Sequence, residues 1–296
     1  MKNALSYYYG LDVNNIHQKD KTFYFKYENF EYVLTKVENT DIEIIYELAN
    51  NLNQIGVYCH QIIPNNNKQI ITKINDEDYV LMKMFVDKDK INLNDIINFN
   101  NINYIENKKL TIIDWYTLWS EKIDYFEYQI SQIGKKYPVI RKSFSYYIGL
   151  SENAITLVKN IPIDKLYYSL NHRRINYKDN MQSLYNPLSF IIDIRFRDVC
   201  EYFKSSFFNK INIENEIMLY LYYNDLNYNE SCYFFARMLF PTYYFDIYEK
   251  IINNEIDEIK LNSVISLAED YEILLKKIYL YLKNKVNLPN LEWLIN

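Results

Sequence analysis

The chain has 296 residues, 49% of them apolar, enough for two lobes with cores of their own. Its 33 Lys and Arg against 38 Asp and Glu leave a net charge of −5, and there is no basic block, which argues against sequence-independent nucleic-acid binding. The four glycines, Gly10, Gly56, Gly134 and Gly149, are too scattered to form GxGxxG or GxxxxGK[ST], so a glycine-rich cradle for phosphate is excluded.

Residues 5–37 read as short strands. Residues 22–27 and 30–37 are β-branched and aromatic, with Glu28-Asn29 as a tight turn between them. Thr40 and Glu43 have capping-box spacing, and Ile42, Ile45, Leu48, Leu52 and Ile55 form a helical face that Gly56 ends. Three strand-like runs follow, at 57–63, 69–74 and 79–86, separated by the turns Pro64-Asn65-Asn66 and Asn75-Asp76. Residues 1–86 therefore predict a small mixed lobe, and the polar, Asn-rich residues 87–110 a connection.

Residues 111–296 predict a helical lobe. Asp114 is placed to cap a helix that carries Trp115, Trp119, Ile123, Phe126, Ile130 and Ile133 on one side. The tryptophans suit a ligand platform or, more simply, a packed core stripe. Residues 141–159 form a second helical region, ended by Ile161-Pro162. The polar stretch His172-Arg173-Arg174 leads into an Asn- and Asp-rich loop, then an apolar run at 190–192 that ends in Asp193. Helices are expected from Asp198 onward, at 214–223, 230–239 and 243–253. A last long one places Val264, Leu267, Tyr271, Leu274, Ile278 and Leu282 on one stripe. Trp293 suggests a tail that docks. Cys59, Cys200 and Cys232 are isolated and odd in number, so they read as reduced, buried thiols. No basic-then-apolar leader opens the sequence and no apolar run reaches about 18 residues. The expectation is a soluble protein made in the cytoplasm, with no membrane insertion.

Four segments carry a family resemblance, in order: residues 170–175 (LNHRRI), 186–193 (NPLSFIID), 197–204 (RDVCEYFK) and 236–245 (ARMLFPTYYF). Residues 289–294 add to it. On these the chain resembles the spore-coat kinase-like proteins of the CotS/YutH type, relatives of aminoglycoside and choline phosphotransferases. The resemblance spans roughly the whole chain and is closer in the second half. It implies an α+β, protein-kinase-like two-lobe fold.

Phosphoryl transfer needs positioned phosphates, a held magnesium ion and an acceptor for the nucleophile's proton. The resemblance implies Lys36 as the phosphate-holding lysine, with Glu43 or Glu47 as its helix partner; all three also suit an ordinary surface. It puts Arg174 where active relatives carry the catalytic aspartate, two places after His172, and a guanidinium accepts no proton. Asp179 and Asn180 lie near a metal-binding asparagine position, or belong to a plain turn. Asp193 is the candidate for the second metal acid, yet only four residues separate it from Asp198, a shorter loop than in active relatives. Asp198 reads as a helix cap that also ties back to the catalytic loop, and His172 as a structural histidine in that loop. Arg173, Arg174, Arg195 and Arg197 form either a network with Asp193 and Asp198 or an anion site.

The leading expectation is a catalytically degenerate pseudokinase acting as a spore-coat assembly or binding module. It needs no cofactor and has other proteins, including coat components, as partners. The alternative is an active small-molecule phosphotransferase that uses ATP and magnesium through Lys36, Asp179 and Asp193.

Overall fold

The computed structural model describes residues 1–37, 41–102 and 113–295. Thr40, half of the expected capping box, lies outside them, as does the end of the expected connection. By contacts the chain forms two units. The first comprises Met1–Thr111 and Leu170–Ile192, the second Ile112–Ser169 and Asp193–Asn296. The segment around His172 thus groups with the small lobe, although its position in the sequence suggested the helical one.

The first unit opens on a helix, α1 (Lys2–Tyr9), where strands were expected. The strands β1 (Ile16–Lys19), β2 (Thr22–Tyr27) and β3 (Phe30–Lys36) follow. Helix α2 (Ile42–Gln54) precedes β4 (Gln61–Ile63), β5 (Thr72–Ile74) and β6 (Glu77–Met84). These strands form an antiparallel sheet in the order β1-β2-β3-β6-β4, with β5 also paired to β6. Strand alternation gives the sheet two apolar faces. Leu34, Leu81, Tyr79 and Phe25 pack with Leu5 of α1 on one face. Val33, Val80, Met82 and Ile62 pack with Ile42 and Ile45 of α2 on the other.

The polar stretch after Asp87 holds a helix that composition hid, α3 (Leu93–Asn100). Asparagine is a weak helix former. Here a capping box between Asn92 and Asp95 starts the helix, and burial of Ile96 and Phe99 holds it. The strands β7 (Tyr168–His172) and β8 (Phe190–Ile194) pair as a separate two-stranded ribbon, with a short helix, Met181–Leu184, between them in sequence.

The second unit is built on α4 (Trp115–Ile133) and α5 (Pro138–Val158). Asp114 caps α4 as expected, its side chain accepting from the Tyr116 and Thr117 amides. Trp115, Trp119, Ile123 and Phe126 are buried, so the aromatic stripe is core; Trp119 stacks on Phe240 at 4.4 Å. The helices α6 (Arg197–Phe208), α7 (Glu214–Tyr223), α8 (Tyr228–Leu239), α9 (Thr242–Ile252) and α10 (Ala268–Lys285) complete the unit. The tail docks: Leu291 and Leu294 are buried, and the Trp293 indole donates to Asn153 of α5. Many of the 32 tyrosines serve the core, with Tyr147 stacked on Tyr244 at 3.8 Å. Among the described residues no helix is long and apolar enough to cross a membrane.

Candidate functional site

In the first unit, His172 ends β7 and is buried. Its Nε2 lies 2.7 Å from the Leu184 carbonyl and its ring packs on Phe99 at 4.5 Å. The exposed Arg173 and Arg174 follow, and the Arg173 amide donates to the Ser189 carbonyl at 2.7 Å. The loop then closes on itself. Asp179 accepts from the Asn176 amide at 2.7 Å, and Asn180 caps the helix Met181–Leu184 by accepting from Ser183 at 3.0 Å. Its backbone is stitched to the chain before α3, with Ile91 donating to the Asp179 carbonyl and Met181 to that of Asp89. Burial pushes the Asp179 carboxyl up, against the opposing pull of the Asn176 amide and His172.

Strand parity corrects the expectation for Lys36. Its cross-strand partner is Tyr79, and it shares a face with Leu34, the face that packs on α1. Helix α2, which carries Glu43 and Glu47 on its exposed side, covers the opposite face. The Lys36 ammonium pairs with Glu77 of β6 at 2.7 Å. The residue that faces the α2 side at this point is Thr35, which shares a hydrogen bond of 3.0 Å with Thr22. Tyr-Val-Leu-Thr-Lys names the right strand, but a one-residue offset reverses the face.

Sequence reasoning passed over His60, which is fully buried. The Phe85 amide donates to its Nδ1 at 3.2 Å, so its Nε2 carries the proton and donates to the Gln182 carbonyl at 2.8 Å. His60 therefore ties the end of the sheet to the helix after the loop. Burial pushes its pKa down. A lone histidine inside an apolar run was the only signal of it.

A cleft of about 720 Å³ opens on the first unit, lined by Tyr24, Lys26, Glu31, Val33, Met84 and Gln182, among others. Glu31 is its electrostatic centre. It pairs with Lys88 at 2.8 Å, accepts from Gln182 at 3.3 Å and has Lys26 at 3.7 Å. The Lys88 hydrogen bond, against a smaller effect of burial, holds the Glu31 carboxyl below its usual range.

In the second unit, Asp193 is fully buried and both its oxygens are engaged. The Trp115 indole donates at 2.9 and 3.0 Å, the Ile194 amide donates at 2.7 Å, and Arg197 Nε lies 2.9 Å away. Arg197 also stands 3.6 Å from Asp198. Helix α6 begins at Arg197, so Asp198 sits in its first turn and not at the cap. Burial pushes the Asp193 carboxyl up, against the pull of Arg237 and Arg197.

The network continues through residues to which no role had been given. Arg237, 1% exposed, lies over Trp115 at 4.3 Å and pairs with Glu201 at 3.0 Å. Glu201 also takes Lys204 at 2.9 Å and accepts from Thr242 at 3.1 Å. Burial would raise the Glu201 pKa, but Lys204, Arg237 and Arg197 outweigh it and hold the carboxyl well below its usual range. Arg195 pairs with Glu230 at 2.9 Å. Arg197 thus lies against Asp193 and Asp198, whereas Arg195 pairs with Glu230 and with neither of those acids in the ion pairs found.

The folds of solved proteins identify the class. An aminoglycoside phosphotransferase from Alicyclobacillus acidocaldarius matches with a TM-score of 0.70 at 10% identity, over 96% of this chain and 97% of its own. A spectinomycin phosphotransferase solved with ADP and spectinomycin matches at 0.63 and 14%, over 95% and 97%. A choline kinase from Streptococcus pneumoniae matches at 0.53 and 12%, over 95% and 98%. The chain has the α+β, two-lobe fold of the kinase-like phosphotransferases. It belongs to the family described as "Spore coat putative kinase YutH", which matches residues 2–278. The endospore coat-associated protein YutH of Bacillus subtilis (strain 168) is 25% identical over 206 residues. That match covers 61% of this chain and spans about three fifths of the relative, 61% of its length.

Proposed function

We propose that this protein is a catalytically degenerate member of its fold that serves in the spore coat as a binding or assembly module. The observation that carries this reading is the state of Asp193. A magnesium ligand must offer a carboxylate oxygen to a hydrated cation. Asp193 is withdrawn from solvent and its oxygens are held by an indole, an amide and a guanidinium. Arg174 at the proton-acceptor position that the resemblance implies, and the parity of Lys36, on the sheet face opposite α2, support the same conclusion. Its partners are other proteins of the coat, and no nucleotide chemistry is required of it.

One observation favours a second reading. The cleft beneath Tyr24 and Val33 has a volume within the range of small-molecule sites. An active phosphotransferase would place ATP there, with Asp179 of the same unit released to hold magnesium. Thermal melting with ATP, first with magnesium and then with chelator, separates the two, because a ligand bound only by the folded state raises Tm. The degenerate reading expects no magnesium-dependent shift and no ATP turnover. Turnover that disappears in a folded Asp179→Ala variant would reverse the order of the readings.

A further inference from the structure

Helix α4 carries a second stripe, away from its buried tryptophans. Tyr125, Tyr128, Gln129, Gln132 and Ile133 follow helical spacing and so share one side of the helix, and Lys136 follows in the 3-10 turn Gly134–Lys136. Together with Tyr137, Ile252 and Asn254 they line a groove of about 420 Å³, which lies wholly within the second unit. Tyr125 and Tyr128 are 57% and 67% exposed as residues. Exposed aromatic plates beside neutral amides are an unusual choice for a solvated helix face, where charged side chains are the norm.

The groove is also built in advance. The buried Tyr248 donates to Gln129 Oε1 at 2.8 Å, and the Gln129 amide nitrogen donates to the Tyr125 hydroxyl at 3.3 Å. Gln129 is thereby fixed from below and in turn sets the Tyr125 hydroxyl, which lowers the ordering cost of any ligand that binds there. The chemistry of the lining narrows the ligand. Lys136 is the one cation among the lining residues, and it donates to Asn254 at 3.4 Å. An adjoining groove of about 490 Å³ shares Lys136, Tyr137 and Asn254 and adds Glu255, Asp257 and Glu258. Those acids disfavour a phosphate or a carboxylate. The amides disfavour a purely apolar ligand. An uncharged polyol with apolar ring faces meets both demands: its C–H faces lie on the tyrosines and its hydroxyls pair with Gln and Asn.

We propose that this groove binds an uncharged pyranose oligosaccharide, laid along α4 with sugar rings on Tyr125 and Tyr128. The site is separate from the nucleotide question and stands whether or not the protein transfers phosphate. The test is calorimetric titration of the full chain with two probes, a cellulose hexamer and a hexamer of N-acetylglucosamine. At least one probe binds. Tyr128→Ala weakens that binding about fivefold to tenfold, and Tyr128→Phe, which keeps the plate, retains most of it. Both tyrosines are exposed, so an unchanged Tm confirms that the variants remain folded. The proposal is overturned if neither probe binds, or if Tyr125→Ala/Tyr128→Ala binds both as tightly as the parent. It is also overturned if the double variant changes only the sedimentation of the protein, which would make the stripe a protein interface.

Discussion

Replacing Asp193 by alanine distinguishes a structural carboxylate from a catalytic one through stability alone. The substitution strips Arg197, which is 6% exposed, of its partner at 2.9 Å, and it leaves the Trp115 indole and the Ile194 amide without their acceptor. Removing one member of a buried pair costs ~3–5 kcal/mol, and Asp198, 3.6 Å from Arg197, replaces the lost 2.9 Å contact only in part. For a unit of this size each 1 kcal/mol moves Tm by about 2–4 °C, so the expected fall is about 6–20 °C. In urea the midpoint falls and the slope is unchanged, as required for a loss of stability without a change of mechanism. A metal acid held apart for catalysis behaves in the opposite way, since truncating a strained functional group leaves stability unchanged or raises it. The double variant Asp193→Leu/Arg197→Met recovers much of the loss, because an apolar pair in place of a buried ion pair is often near neutral. A fall in Tm below about 2 °C for Asp193→Ala, worth less than 1 kcal/mol, would refute this account.

Two further outcomes follow from buried titrating groups. Glu201 is held below its usual range by Lys204, Arg237 and Arg197, so its stabilisation is complete above the unfolded value of about 4.3 and is lost as pH falls through the lower folded value. Glu201→Gln therefore costs ~3–5 kcal/mol at pH 7 and makes the acid limb of a urea-stability profile shallower; a parallel profile would contradict the pairing. His60 is displaced downward, so the folded state takes up its proton less readily than the unfolded state, whose value is about 6.5. Stability is then full above that value and declines as pH falls below it, toward the folded pKa. Melting at about pH 7.5 and pH 5.5 should show the decline in the parent and a smaller one in His60→Gln. Equal declines would remove His60 as its source.

Local pattern made much of the fold legible. β-Branched and aromatic content and the Glu28-Asn29 turn gave β2 and β3, and Asp114 with its aromatic stripe gave α4. Helix α3 escaped because its composition is that of a loop, and only the capping box and the burial of Phe99 make it a helix. Helix α1 escaped because tyrosines in Lys2–Tyr9 suit a strand as well as a helix. At the site, the family resemblance named Asp193, Asp198 and four arginines; of these, Arg197 meets both acids, Arg195 pairs with Glu230, and Arg173 and Arg174 belong to the first unit. It gave no indication of Trp115 as a donor to Asp193, or of Arg237 over that indole and paired with Glu201, for these meet only through helix packing. The face of Lys36 was lost to an offset of one residue, the distance at which strand parity inverts.

The engagement of Asp193 also constrains the future of the sequence. A carboxylate that merely lies idle in a cleft is returned to service by small changes around it. Here, any route toward a cation at position 193 first passes through variants in which the Trp115 indole has lost its acceptor and Arg197 its nearer carboxylate inside a packed core. Natural domains hold only ~5–15 kcal/mol of stability, so such intermediates spend a large share of it before any activity is gained. On the degenerate reading proposed above, reacquiring phosphoryl transfer would require coordinated replacement of several core residues, and the network would then work as a one-way gate on the evolution of this chain.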